Sequence, residues 1–317
     1  MSVVFIGIDM SCSKAICCLP IQGEGKTELT VRDPEMKTYS PKGERVIAFL
    51  NPFRVVGHLW QYRQLISQLT RRQVRSQYRG SFIGIGWSLI HPLLMLCVYT
   101  FVFSVVFRAR FGVQSVESRL DFALALFIGL ISFRLFTEVV NSAPSLIFGH
   151  VNYVKKVVFP LEILVVVKFL SSLINALFSL FVFLCGAMVI HHTIPWTTSI
   201  LPLVWLPLIL LTLGCGYFLA SFGVFLRDLD AAINVITTML FFLTPIFYPL
   251  SAVPERFRIF SLLNPLTTIV ENTRAVTLGE ALPDWVAFSA VLAASALVCL
   301  FGFIWFMKSK KAFADVI

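Results

Sequence analysis

The stretch FIGIGWSLIHPLLMLCVYTFVFSVVF, residues 82–107, decides the fold class. Its 26 residues include no carboxylate, lysine or arginine. A helix rises 1.5 Å per residue, so this run is about 39 Å long. That exceeds the roughly 30 Å hydrocarbon layer of a bilayer, which about 20 apolar residues cross. Further apolar segments follow at about 122–140, 163–190, 201–226, 231–249 and 285–307. The chain is 57% hydrophobic and only 14% charged, against about 25% charged in a soluble domain. A soluble enzyme is therefore excluded. The expected fold is an all-α membrane protein with six transmembrane helices.

Basic residues outnumber acidic ones, 26 to 17, and their placement points to lipid, not nucleic acid. Six crossings put both termini on one side of the membrane. That side would carry twelve basic residues before Ser81, together with Lys155, Lys156, Arg227, Lys308, Lys310 and Lys311. The opposite side would carry Arg108, Arg110, Arg119, Arg256, Arg258 and Arg274, beside six carboxylates. Positive charge marks the cytoplasmic face, so both termini are predicted to be cytoplasmic. The first twenty residues lack the pattern of a signal peptide, because Asp9 interrupts a short apolar run with no basic stretch before it. The first span is expected to direct insertion itself.

The sequence divides into a cytoplasmic leader (1–57), an amphipathic helix (58–81), a six-helix transmembrane domain (82–308) and a cytoplasmic tail (309–317). The leader reads equally as a strand-and-turn cap or a tail, since Pro20, Pro34, Pro41 and Pro52 break any long element. In the amphipathic segment Leu59, Tyr62, Ile66 and Leu69 recur at helical spacing beside Trp60, and Arg63, Arg71, Arg72, Arg75 and Arg79 add only positive charge. Tryptophan and tyrosine favour the headgroup layer and arginine stems reach phosphates. A helix lying flat on the cytoplasmic leaflet is expected. Near the other end, residues 257–270 are too short and too broken by Asn264-Pro265 to cross. Such breaks are tolerated at membrane depth only in protein or beside a wet cavity. Two short re-entrant or interfacial helices on the outer face are predicted there.

Candidate chemistry is sparse. Gly25-Lys26-Thr27 matches the end of a phosphate-binding loop, but Pro20 stands where its first glycine belongs. Any ATP work falls to a partner. The seven cysteines lack zinc-ligand spacing, and four lie in apolar segments where a thiol behaves as a small hydrophobe. His191 and His192 read as a solvated turn. Arg134 and Glu138, four apart in the second span, are expected to pair with each other. Lys168 has Glu162 six residues before it. The aromatic string ending the fifth segment offers Phe241, Phe242, Phe247 and Tyr248, with Asn264 nearby, as a path on which sugar rings stack and slide.

Several strings resemble the polysaccharide-export permeases of the ABC-2 type. They are Leu69-Thr70-Arg71-Arg72 through Arg75-Ser76-Gln77-Tyr78-Arg79-Gly80-Ser81, then Gly84-Ile85-Gly86-Trp87-Ser88-Leu89-Ile90-His91-Pro92. Lys155-Lys156-Val157-Val158-Phe159-Pro160-Leu161-Glu162, Phe225-Leu226-Arg227-Asp228-Leu229, Thr244-Pro245-Ile246-Phe247-Tyr248-Pro249 and Leu263-Asn264-Pro265-Leu266 follow in order. The likeness covers about residues 59–308.

This resemblance implies a homodimeric channel in the bacterial inner membrane, paired with two ATP-hydrolysing subunits and exporting a lipid-linked glycan such as O-antigen or capsule. It implies no cofactor on this chain, with ATP and magnesium held by the partner. An interface or gate helix would comprise Trp60, Tyr62, Arg71, Arg72, Arg75, Tyr78 and Arg79. Coupling to the ATPase would use Asn152, Tyr153, Lys155, Lys156, Phe159 and Pro160, with Arg227 and Asp228 as a second contact. The alternative from another class is a membrane-embedded glycosyl or acyl transferase, which needs acidic or histidine residues converging at one face. The outer carboxylates Glu117, Asp121, Glu255, Glu271, Glu280 and Asp284 are instead dispersed.

Overall fold

Local sequence explains each helix of the computed structural model, which describes residues 57, 59–77, 79–81, 83–102, 119–150, 159–248, 250, 253–279 and 281–316. Helix α1 (Arg63–Gln77) buries Ile66, Thr70 and Val74, spaced four apart, and leaves Arg71, Arg72 and Arg75 exposed. That is the narrow stripe of an amphipathic helix. Helix α2 (Trp87–Tyr99) holds Pro92 inside it, and the apolar helical stretch runs on to Val102. Helix α3 (Arg119–Leu146) continues past residue 140, where the second span was expected to end. Helix α4 (Glu162–His191) stops where His192 takes a left-handed backbone with φ of 59°.

The fourth apolar segment starts with a 3-10 turn (Trp196–Ile200), then a short α5 (Leu201–Val204) and α6 (Leu206–Gly223), with Pro202 and Pro207 at first-turn positions where a missing N–H costs nothing. Helix α7 (Leu229–Leu243) ends earlier than the expected 249. Thr244 precedes Pro245 and is extended, ψ 132°, because the proline ring clashes with a helical residue before it. Helix α8 (Glu255–Leu263) and helix α9 (Pro265–Thr277) flank Asn264, whose side chain accepts the Leu266 N–H at 3.1 Å as an N-cap. Helix α10 (Trp285–Ser309) is capped by Asp284, which accepts from the Val286 and Ala287 N–H groups. A 3-10 turn (Lys310–Ala312) and α11 (Phe313–Val316) close the chain.

The described residues are all helix and connecting turns, with no strand. Among them four stretches are long and apolar enough to cross a membrane: Leu120–Leu146, Glu162–His191, Trp196–Gly223 and Trp285–Ala312. Two shorter apolar helices, Trp87–Val102 and Leu229–Leu243, accompany these. The chain is a multi-pass membrane protein. The leader before Gly57 and residues 103–118 lie outside the described residues.

Helix α3 is the hub. In its most apolar window 83% of residues are buried, against 22% in α4 and in α10. It packs against α2, α4, α6, α7 and α9, while α4 and α10 turn apolar faces outward. Helices α6 and α10 touch closely: a Cβ placed on Gly302 would stand 2.1 Å from the Gly214 carbonyl oxygen. Small residues at such a crossing let backbones approach where lipid supplies no hydrophobic drive. Helix α1 lies along the start of α4, with Ile66 clustered on Ile163 and Val167 and Gln77 reaching Ser171 at 3.5 Å.

Candidate functional site

Helices α2, α3, α4 and α7 enclose an open cavity of about 650 Å³. Its aromatic wall is Trp87, Tyr99, Phe127, Phe133 and Phe241, with Phe133 and Phe241 ring centroids 5.4 Å apart. Polar groups face the same space. His91 comes from α2, Arg134, Glu138 and Asn141 from α3, Asn175 and Ser179 from α4, and Thr237 and Thr238 from α7. A polar cavity inside an apolar bundle is expensive and therefore informative.

The charges are ordered across helices, not along one. Arg134 and Glu138 do not pair as the spacing predicts. The Arg134 guanidinium lies against the His91 ring, 3.3 Å from Nδ1 and 3.5 Å from Nε2. Glu138 Oε1 accepts from Lys168 Nζ at 3.2 Å and from Asn175 Nδ2 at 3.5 Å. Asn175 also donates to Gln77 Oε1 at 3.3 Å, which ties the end of α1 to the cavity wall. Thr237 donates to Asn141 Oδ1 at 2.9 Å and joins α7 to α3. Lys168 thus answers Glu138, and Glu162 finds Lys310 Nζ at 2.6 Å. That last pair pins the segment after α10 to the start of α4, with Phe313 fully buried against Phe306 and Phe225.

At the opposite end Arg274 is the pin. Counted from sequence among the outside charges, it is only 6% exposed. Its Nε donates to the Ala125 carbonyl at 2.9 Å, and Nη1 donates to the Pro245 carbonyl at 2.7 Å and to Glu271 at 3.3 Å. Nη2 donates to the Ile246 carbonyl. One guanidinium from α9 thereby fastens α3 to the break that follows α7. Gly129 makes room for it, since a Cβ there would lie 2.9 Å from Arg274 Nη2. Burial pulls the Arg274 group down to about 10, still charged at neutral pH, with Glu271 opposing the shift. Burial likewise pushes the Glu271 carboxyl up, against the pull of Arg274. His191, expected in a solvated turn, is instead the last residue of α4, and its Nε2 meets Asp121 Oδ1 at 3.0 Å, linking α4 to α3.

The path candidates from sequence fall into different places. Phe241 lines the cavity. Phe247 packs on Phe241 with centroids 5.0 Å apart, and Phe242 is 65% exposed. Tyr248 donates its hydroxyl to the Phe242 carbonyl at 2.9 Å, and Asn264 donates to Thr244 Oγ1 at 2.9 Å while capping α9. The last two hold the break in shape. In the amphipathic segment 58–81 Trp60, Arg71, Arg72, Arg75 and Arg79 are exposed, Arg79 in the turn after α1, and Tyr62 is partly buried, whereas Tyr78 lies outside the described residues. Asn152, Tyr153, Lys155 and Lys156 also lie outside them. Phe159 and Pro160 are half-buried, and Arg227 and Asp228 are exposed. The Arg227 guanidinium stands 5.8 Å from the Phe148 ring centroid.

Sequence reasoning missed His91, Gln77, Asn175 and Lys310. A signal existed for the first three, each a polar residue in or beside an apolar run. It gave no partner.

Comparison with known proteins decides the family. Residues 64–278, most of the chain, match the ABC-2 type transporter family model. The chain belongs to the ABC-2 type transporter family. This ABC-2 transporter is 30% identical over 266 residues to the O-antigen export system permease protein RfbA of Myxococcus xanthus, covering 83% of the chain and 99% of that protein. An RfbA permease of Klebsiella pneumoniae is 22% identical, with 83% and 97% covered. The polysialic acid transport protein KpsM of Escherichia coli is 23% identical, with 74% and 89% covered. The ABC-2 chain is thus the membrane subunit of a transporter whose ATPase is a separate subunit. The embedded-transferase reading falls with that assignment.

Proposed function

We propose that this chain forms the channel of an ATP-driven exporter that moves a lipid-linked polysaccharide, O-antigen or capsule, across the bacterial inner membrane. The observation carrying this is the open cavity of about 650 Å³ between α2, α3, α4 and α7, in a chain similar over most of its length to O-antigen and polysialic acid permeases. Aromatic rings offer sugars a sliding surface, and hydroxyls and amides offer exchangeable hydrogen bonds.

The working unit is a homodimer with two ATPase subunits, each chain crossing six times with both termini cytoplasmic. The domain plan is leader 1–57, interface helix 58–81, transmembrane domain 82–308 and tail 309–317. Helices α8 and α9 are the re-entrant pair at the exit. Phe241, with Phe242, Phe247, Tyr248 and Asn264 near it, marks the path. Residues Asn152 to Pro160 and the Arg227-Asp228 turn receive the ATPase stroke, and rigid-body motion opens the dimer seam. The exposed arginines Arg71, Arg72, Arg75 and Arg79 meet lipid phosphates at the inner leaflet.

The test is reconstitution with a candidate ATPase subunit. A two-plus-two complex whose hydrolysis changes with lipid-linked glycan supports the assignment, and a chain that binds no ATPase removes it. Replacing Arg71, Arg72 and Arg75 with glutamate is expected to impair export, and normal export would overturn the role given to the helix.

A further inference from the structure

Among the described residues no carboxylate stands against Arg134, a cation that lines the cavity. It lies 14 residues beyond Leu120 and 12 before Leu146, at the middle of the α3 span. Glu138, one turn away, is taken by Lys168 and Asn175. Among the described residues the side-chain partner of Arg134 is His91. A neutral imidazole has one acceptor nitrogen and a guanidinium has five N–H donors, so His91 steadies the group and leaves most of its donors facing open space. The hydroxyls of Ser88, Thr237 and Thr238 and the Asn141 amide line the same cavity. A planar fork of donors matches an oxyanion in two-toothed fashion. The space is far larger than a free phosphate, and Pro92, Met95, Phe127, Leu130 and Phe241 line it beside the polar groups, so the oxyanion that fits is one carried on an amphiphile.

We propose that Arg134, braced by His91, binds the phosphoester of a lipid-borne phosphate inside this cavity. Two sources share that chemistry, the phosphate that joins a polyprenyl lipid to its glycan and the headgroup of a bilayer phospholipid. Choosing the first rests on the export function proposed above; the oxyanion site itself does not.

The permease, purified with its ATPase in nanodiscs, is titrated with polyprenyl diphosphate and with polyprenol of the same length. Wild type is expected to bind the diphosphate about tenfold more tightly than the alcohol, and Arg134→Gln to shrink that ratio below about threefold, with Arg134→Lys between them. Equal binding of the diphosphate by wild type and Arg134→Gln overturns the site. A second measurement leaves Arg134 in place: the diphosphate is expected to shield Thr238→Cys from maleimide, and shielding by polyprenol to the same degree overturns the proposal. Phosphatidylglycerol competing as well as polyprenyl diphosphate keeps the oxyanion site and overturns the polyprenyl source. Failure to form the ATPase complex bears on the export function, whereas loss of the diphosphate preference bears on Arg134 alone.

Discussion

Replacing Arg274 with methionine keeps the volume of the side chain and removes all its donors. Two backbone carbonyls of the break, Pro245 and Ile246, then lose the guanidinium that satisfies them, and Ala125, in mid-helix, keeps its intrahelical bond but loses its second donor. Each buried unsatisfied group costs about 1–3 kcal/mol. Some relaxation toward water at the break lowers the sum, so a loss of about 3–5 kcal/mol is expected. Glu271, left without its cation, adds to the loss or takes up a proton. At about 2–4 °C per kcal/mol, thermal unfolding of the purified chain, followed by fluorescence-detected gel filtration, falls by roughly 6–20 °C. Arg274→Lys recovers less than half of this, because a single ammonium cannot reach the carbonyl on α3 and those on the break together. A midpoint for Arg274→Met within about 2 °C of wild type would refute the idea that this residue fastens α3 to the break that follows α7.

Other outcomes follow from the same geometry. Lys310→Ala leaves the buried Glu162 carboxylate without its 2.6 Å partner; with Lys310 partly exposed, the expected loss is about 1–3 kcal/mol. The exchange Glu162→Lys with Lys310→Glu should restore part of it in the same melting assay. Gly302→Val forces α6 and α10 apart against a contact already at 2.1 Å for the first added carbon, and the variant should fail to give a monodisperse gel-filtration peak; a wild-type profile would contradict the close crossing. The Glu271 carboxyl is raised by burial above its ordinary 4.5, so the folded chain holds that proton where the unfolded chain has released it. Its contribution is present below pH 4.5 and lost as pH rises through the higher folded value. Glu271→Gln should flatten this part of the stability–pH profile, and an unchanged slope would exclude Glu271 as its source.

The spans were legible because length and apolar content are one-dimensional. The runs at 122–140, 163–190 and 285–307 became α3, α4 and α10 with ends moved by a few residues. The break at Asn264-Pro265 was legible for a local reason, since both the capping amide and the proline act on their own backbone. Partners were not legible. Spacing of four suggested an Arg134–Glu138 pair, but neighbours on α2 and α4 competed for both groups and won. Glu162 and Lys310 are 148 residues apart, and nothing in either stretch announces the other. Arg274 looked like a loop charge because hydropathy cannot see three carbonyls waiting in the fold. Pro245 was in plain view, yet the helix end it causes was placed six residues late.

The central claim is that this chain carries a lipid-linked glycan across the membrane under the drive of a separate ATPase. The most direct measurement reconstitutes both subunits in proteoliposomes with labelled lipid-linked O-antigen and follows its exposure to a lectin on the far side. ATP-dependent exposure, absent with a hydrolysis-dead ATPase and absent without this chain, is the predicted result. Exposure that proceeds equally without ATP or without this chain would contradict the account.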